Sequence, residues 1–386
     1  MKKENKPIRV ALVGAGAFGR NHARVYAELQ KSGEPVELAA VVDENLAQAQ
    51  AVTAELKVNV PAYSTVDDLL ADPANLHVSA ASVAVPTHAH LKTAHMLMQG
   101  GLDVLIEKPI APSLEEADEL IATAERTGRI AMAGHLERFN PAVRATLPLL
   151  AQPMFFEVHR LSVFTPRALD VDVVLDLMIH DLDIVLWFMH SQPRPKAPIG
   201  TGVTTAYRNG KPLIRDIQAV GIPILSPKVD IANVRVEFSS GCVANFTASR
   251  VSTERVRKLR FFQRGTPGKP GYGIAGAETR QYISIDYGRR DVFALSVQPA
   301  DPKANEVAPP VAGFDIALPS GMALVPSRPK IEDEEPLRAE LRAFLGAVRN
   351  RTAPPITLRD GRAALALALE ILNQIASHAK RAGLAR

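Results

Sequence analysis

The sequence predicts an α/β protein in two successive domains, a doubly wound parallel sheet first and an α+β domain with a large, mostly antiparallel sheet second. Three observations predict it. Over residues 8–134, short β-rich apolar runs alternate with segments of helical length. From Pro153 onward, strands follow one another with few helices between them. A chain of 386 residues that is 47% hydrophobic is long and apolar enough for two packed cores.

The elements follow in order. Residues 8–13 form a strand that runs into a glycine-rich turn and then a helix over about residues 19–29, a βαβ opening. Residues 37–43, 78–85 and 102–106 read as further strands, and alternation with helices makes the sheet parallel. A helix over 114–126 starts at the cap-like Ser113 with Glu116 three residues on, and 129–134 is one more strand. The nucleotide-binding domain therefore spans residues 1–135. In the second domain, residues 136–335, strands are expected at 154–163, 229–238, 242–249 and 281–286, with one long helix over 173–189. Stretches rich in Pro and Gly at 192–216, 264–280 and 298–330 read as surface excursions. Two last helices, 336–349 and 360–381, make up residues 336–386 and are expected to pack back on the body, with Asp360 as an N-cap.

Composition excludes several classes. The net charge of +4 is too weak and too dispersed to indicate nucleic acid without a recognisable binding module. One cysteine, Cys242, rules out an internal disulfide and any multi-cysteine zinc site, and fits a reducing, cytoplasmic setting. Lys2, Lys3 and Lys6 precede an apolar stretch as they would in a secretory signal, but glycines interrupt it at once. Residues 173–189 carry Asp176, His180, Asp181 and Asp183, so they do not read as a membrane span.

The chemistry starts at Gly14-Ala15-Gly16-Ala17-Phe18-Gly19, a GxGxxG pattern with a strand before it and a helix after it. Glycines let the backbone approach a pyrophosphate, and the helix N-terminus supplies N–H donors at a positive dipole end, so Gly14, Gly16, Ala17, Phe18 and Gly19 are candidate cofactor contacts. Asp43 closes the second strand, where a carboxylate accepts hydrogen bonds from ribose hydroxyls and repels a 2′-phosphate. With no Arg or Lys in Glu44-Asn45, NAD is favoured over NADP. Glu107-Lys108-Pro109 follows the apolar run Val104-Leu105-Ile106 and places an ammonium where the reactive end of a nucleotide cofactor should lie. Asp176 and His180 are four residues apart on the predicted long helix, hence on one face. A histidine among apolar neighbours is more often a hydrogen-bonded core residue than a catalyst, but a carboxylate beside it makes that alternative costlier. No further cluster completes a metal site around the pair.

Gly14 to Gly19, Val85-Pro86-Thr87 with His90, Glu107-Lys108-Pro109, and Asp176 with His180, in this order, resemble the glucose-fructose oxidoreductase/inositol dehydrogenase/rhizopine catabolism (Gfo/Idh/MocA) family of NAD(P)-dependent oxidoreductases. The resemblance implies a Rossmann domain followed by an open-faced sheet domain, with homodimers or homotetramers formed through that sheet. It also implies a cis peptide before Pro109, cofactor contacts from Pro86, Thr87, His90, Glu107, Lys108, Arg138 and Asn140, and Lys108 and His180 as the catalytic pair with Asp176 completing the site. Oxidation of a secondary alcohol then needs His180 as base and Lys108 to position the alcohol and stabilise developing alkoxide, roles that can be exchanged. Asp176 would orient His180 or bind a sugar hydroxyl, and Glu107 would face the cofactor ribose.

Residues 134–141, 160–186 and 229–262 narrow the resemblance to bacterial and archaeal UDP-N-acetylglucosamine 3-dehydrogenases. Those enzymes make a 3-keto sugar that a partner aminotransferase converts to a 3-amino sugar for lipid A. A nucleotide-sugar diphosphate needs cations, and Arg160, Arg167, Arg250, Arg255, Arg257 and Lys258 are available, with Arg167 and Arg250 the preferred ligands. Taken singly, these charges also fit a solvated edge strand and loop. Two alternatives stand beside this one: a dehydrogenase for another sugar or polyol such as an inositol, and an NAD-binding sensor or regulator. The regulator is disfavoured because both Lys108 and His180 are present and no helix-turn-helix is apparent.

Overall fold

The computed structural model describes residues 6–57, 59–75, 77–165, 171–191, 207–208, 211–265, 279–299 and 322–383. The described residues of Met1–Phe139 and Glu334–Ala366 form one compact unit, and those of Asn140–Thr201, Thr205–Asp333 and Leu367–Arg386 form another.

The first unit is built on a six-stranded sheet whose strands are β1 Ile8–Val13, β2 Val36–Val42, β3 Ala62–Tyr63, β4 Val78–Val83, β5 Asp103–Glu107 and β6 Ala131–Gly134. They lie in the order β3-β2-β1-β4-β5-β6 and every pairing is parallel. Apart from Arg9, every residue of β1 is buried, as expected of a strand covered by helices on both faces. Those helices are α1 Ala17–Lys31, α2 Leu46–Leu56, α3 Val66–Ala71, α4 His90–Gln99 and α5 Leu114–Thr127. The Ser113 hydroxyl accepts a hydrogen bond from the Glu116 N–H, so α5 starts where its capping signal placed it. Tyr26 of α1 reaches across to the Ser82 hydroxyl of β4 at 2.8 Å, and the small residues Ala80, Ala81 and Ser82 keep that strand thin enough for the helix to lie close.

The second unit opens with α6 Pro141–Thr146 and β7 Gln152–Leu161. After α7 Ile179–His190 come a two-stranded ribbon, β8 Tyr207–Arg208 with β9 Lys211–Pro212, and the strands β10 Ile214–Ile222, β11 Ile231–Phe238, β12 Val243–Ser249, β13 Val256–Arg264, β14 Arg280–Asp286, β15 Asp291–Pro299 and β16 Met322–Ser327. Eight of these strands form one sheet in the order β10-β11-β12-β7-β13-β14-β15-β16, antiparallel except for the β12–β7 pair. On β11 the side chains of Ala232, Val234, Val236 and Phe238 are buried while Asn233 and Arg235 are exposed, the period-two pattern of a sheet with one covered face. α7 covers the apolar face, with Phe188 against Phe261 at a ring separation of 5.8 Å. The other face carries a polar groove of about 490 Å³ lined by residues that include Glu157, His159, Gln218, Asn233, Arg235 and Asn245. The last helices are α8 Pro336–Asn350, which packs on α1, and α9 Leu358–Arg381.

Four expectations need correction. The long helix is not one α-helix: Val174–Met178 is π-helical and α-helix begins at Ile179. Asp176 therefore sits in a widened turn, a feature that concentrates at functional sites. The cap of α9 is Thr357, not Asp360. The Asp360 N–H donates to the Thr357 hydroxyl at 3.2 Å and the Thr357 N–H to the Asp360 carboxylate at 2.8 Å, a reciprocal box that starts the helix earlier. The loops expected at 192–216 and 298–330 contain parts of the sheet, since β10 begins at Ile214 and β16 occupies Met322–Ser327, the two edges. Arg257 and Lys258 lie on β13, an interior strand paired on both sides, so an edge-strand explanation of their charge fails.

Candidate functional site

In the first unit, β1, β2 and β4 all end at one rim of the sheet, next to the point where strand order reverses. There the chain forms a groove of about 680 Å³ lined by Gly14, Gly16, Asp43, Ser64, Thr65, Val85, Pro86, Lys92 and others. The three glycines have separate causes. Gly14 has φ of +100°, and a Cβ there would lie 2.5 Å from the Ala84 carbonyl group, so this position tolerates no side chain. A Cβ at Gly19 would land on the Gly14 carbonyl oxygen, where α1 closes against the loop. Gly16 is the N-cap of α1, and a Cβ on it would meet nothing within 4 Å. Its bareness serves space beside the helix N-terminus rather than the fold, which is the cradle a pyrophosphate requires.

Asp43 organises this loop. Its Oδ2 accepts from the Ala15 N–H at 2.7 Å and its Oδ1 from the Asn45 N–H at 2.9 Å, so the carboxylate ties the end of β2 to the phosphate loop while still lining the groove. Ala17 and Phe18 form the first turn of α1, and Phe18 is exposed. Pro86 lines the groove, and Thr87 begins the short turn Thr87–Ala89 after it. The sequence reading missed Gln48, Ser64, Thr65, Asp67, His88, Lys92 and Thr93, which also line the groove. Thr65 was findable: its hydroxyl accepts from the Asp68 N–H, and Thr-x-x-Asp is a helix-start signal.

His90 is buried, and its ring nitrogens lie 2.9 Å from the Val85 carbonyl oxygen and 3.0 Å from that of Pro109. It braces the loop after β4 against the segment after β5 rather than presenting itself to a cofactor. Burial pushes its pKa below the ordinary value, against the opposing effects of the Val85 carbonyl and the Glu107 charge. Lys108 is half-buried at the end of β5, and the Lys108–Pro109 peptide is cis. Glu107, expected to face the cofactor ribose, is buried, with its carboxylate 3.1 Å from His22 Nε2. Arg138 and Asn140 are buried too. Arg138 lies 3.4 Å from Asp360, while Asn140 caps α6 and donates to the Tyr287 carbonyl, so both stand as structural ties.

In the second unit, Asp176 and His180 are half-buried on the π-turn and the first turn of α7. Asp181, next to His180, is buried and takes both oxygens to the Arg160 guanidinium at 2.6 and 2.9 Å, with Tyr287 stacked on the same arginine at 5.1 Å. This pair anchors the helix that carries His180 to β7. Arg250 is also buried, 3.3 Å from Asp230 and bonded to the Val171 and Val229 carbonyls, so its guanidinium is committed to holding the chain before the π-turn and does not stand ready for a diphosphate. Arg167 lies outside the described residues. Among the described residues no group of three or more His, Cys, Asp or Glu is placed to hold a metal ion, and no helix is long and apolar enough to cross a membrane.

Residues 8–135 match the oxidoreductase family with an NAD-binding Rossmann fold. The UDP-N-acetylglucosamine 3-dehydrogenase of Acidithiobacillus ferrooxidans is 33% identical over 310 residues, 75% of this chain and 87% of that enzyme. The chain belongs to the Gfo/Idh/MocA oxidoreductase family. The solved structure of the same Acidithiobacillus enzyme superimposes with a TM-score of 0.71 at 29% identity, covering 96% of this chain and 98% of that one. Another Gfo/Idh/MocA relative, the NAD-dependent scyllo-inositol 2-dehydrogenase of Bacillus subtilis, is 26% identical over 64% of this chain and 68% of its own. The protein is thus an NAD-dependent oxidoreductase, and the bare Gly16, the helix N-terminus and Asp43 are the features that fit NAD to this chain.

Proposed function

We propose that this oxidoreductase oxidises the 3-hydroxyl of UDP-N-acetylglucosamine to the ketone, and that an aminotransferase consumes the product on the way to a 3-amino sugar of lipid A. One observation carries the proposal: the 33% identity to a UDP-N-acetylglucosamine 3-dehydrogenase extends over 75% of this chain, far beyond the nucleotide-binding domain. In this reading, NAD accepts the hydride from the sugar carbon. His180 takes the hydroxyl proton, Lys108 holds the alcohol oxygen and offsets its developing negative charge, and Asp176 orients His180 or binds a neighbouring hydroxyl. The π-turn supports this assignment by setting Asp176 and His180 at the junction of two helical geometries. With Arg250 engaged internally, Arg167 is the remaining proposed diphosphate ligand of the two preferred arginines. The open polar face of the eight-stranded sheet suits self-association into a homodimer or homotetramer, and a cytoplasmic location fits the substrate.

A second reading, oxidation of an inositol, is favoured by the match to the Bacillus subtilis enzyme. The experiment that separates them incubates purified protein with NAD and, separately, UDP-N-acetylglucosamine, UDP-glucose and myo-inositol, following NADH with an aminotransferase present to draw off ketone. NADH from UDP-N-acetylglucosamine is expected; turnover of inositol alone refutes the assignment. Lys108→Ala should abolish turnover and leave NAD affinity within about threefold, and unchanged turnover removes Lys108 from the chemistry.

A further inference from the structure

Behind the corner that carries Lys108, the first unit buries two carboxyl groups and an imidazole that the proposed chemistry does not use. Glu107 is 7% exposed; its Oε1 lies 3.1 Å from His22 Nε2, and its Oε2 is 3.4 Å from the Lys108 N–H. The partner residue of Glu107 on β6 is Gly134, where a Cβ would sit 2.8 Å from that same Oε1. The neighbouring strand thus leaves space for this carboxylate to fold inward. Glu340, on α8, is fully buried, and neither of its oxygens has a hydrogen-bond partner among the described residues.

We propose that Glu340 and His22 are positioning residues for the Glu107-Lys108 corner, forming with Glu107 a buried acid–carboxylate–imidazole cluster that holds the main chain bearing Lys108. The catalytic consequence rests on the reading of Lys108 given above; the cluster itself does not. Two buried carboxyl groups within electrostatic reach of one another do not both ionise. Glu107 has the His22 ring and the Lys108 N–H beside it, whereas neither Glu340 oxygen has a donor among the described residues. Burial first, and then the Glu107 charge, push the Glu340 carboxyl well above the usual carboxylate range.

Among the described residues no side chain donates a hydrogen bond to Glu340. From α1, the Tyr26 hydroxyl shares a hydrogen bond with that of Ser82 and His22 turns Nε2 to Glu107. From the packed turn Leu136–Phe139 come Glu137 and Arg138, and Arg138 reaches Asp360. Arg338 on α8 pairs with Glu28, and Arg24 of α1 pairs with Glu335 and Glu28. The sign of the pH effect follows. The folded chain holds the Glu340 proton more tightly than the unfolded chain does, so the contribution is fully present below the ordinary value of 4.5 and is lost as pH rises toward the raised folded-state value.

The test uses the full chain carrying Glu340→Gln, which cannot ionise, and Glu340→Leu, which removes the polar group. Thermal melts from about pH 5 to about pH 9 should show E340Q gaining on the wild type as pH rises, by about 2–4 °C or more over the range. The infrared carbonyl band of a protonated carboxylic acid should be present in the wild type at neutral pH and absent from E340Q. E340L should remain folded and bind NADH but lose about tenfold or more in kcat at unchanged KM, whereas E340Q retains turnover. A melting gap that is flat with pH, or an infrared difference that is nil, overturns the cluster. Wild-type kcat in E340L overturns the positioning role. Absence of wild-type turnover on every substrate sinks the functional reading instead, and the melts and the infrared band still decide the cluster.

Discussion

Gly16→Ala separates space kept for a ligand from space required by the fold. In the protein Gly16 has φ −67° and ψ −173°, an extended conformation that alanine adopts freely, and the added methyl would meet nothing within 4 Å. The fold should lose only the difference between Gly and Ala at an N-cap, about 0.5–1 kcal/mol, or a few degrees of melting temperature. NAD should suffer far more. Gly16 lines the groove at the N-terminus of α1, so the methyl takes space from the pyrophosphate there, and losing one charge-assisted hydrogen bond costs about 1.5–3 kcal/mol, roughly a 10- to 150-fold rise in Kd. NADH fluorescence titration reads the affinity, and melts without NAD read the fold. Gly19→Ala is the control: its methyl collides with the Gly14 carbonyl, so the melting temperature itself should fall. If Gly16→Ala binds NAD within about threefold of the wild type, the argument that the backbone meets the pyrophosphate here is refuted.

Three further outcomes are expected. Asp181→Asn leaves the buried Arg160 charge without its bidentate partner and should cost about 3–5 kcal/mol in denaturant melts; a loss below about 1 kcal/mol would make this pair no more than a surface ion pair. Thr357→Ala removes the hydroxyl half of the reciprocal cap of α9 and should cost about 0.5–2 kcal/mol by the same measurement, while an Asp360→Ala loss with none at Thr357 would restore Asp360 as the cap. Burial pushes the Cys242 thiol up to about 12, so a thiol reagent at neutral pH should label it only after unfolding; rapid labelling of native protein contradicts the packing around it.

How much was legible depended on the range of the interaction that decides each feature. The phosphate loop and the start of α5 were readable because Gly14 to Gly19 and Ser113 with Glu116 are patterns a few residues long. Thr357 was missed although its signal is just as local, since Asp360 is itself a common cap residue and stood at the end of the apolar pattern. The π-turn at Val174–Met178 leaves no mark in an apolar run, because α- and π-turns demand the same residue types there.

The functional residues divide in the same way. The sequence by itself determined the NAD-binding chemistry, the doubly wound order of the first domain and the identity of Lys108, Asp176 and His180 as candidates. These follow from residue type and short spacing, which the chain carries in any conformation. Only the tertiary structure decided which polar side chains are committed to one another. Glu107 lies against His22, His90 bridges the Val85 and Pro109 carbonyls, and Arg250 pairs with Asp230. A polar side chain can serve a ligand or satisfy a buried partner, and the choice rests on contacts between residues as far as 85 positions apart, which local sequence patterns do not encode.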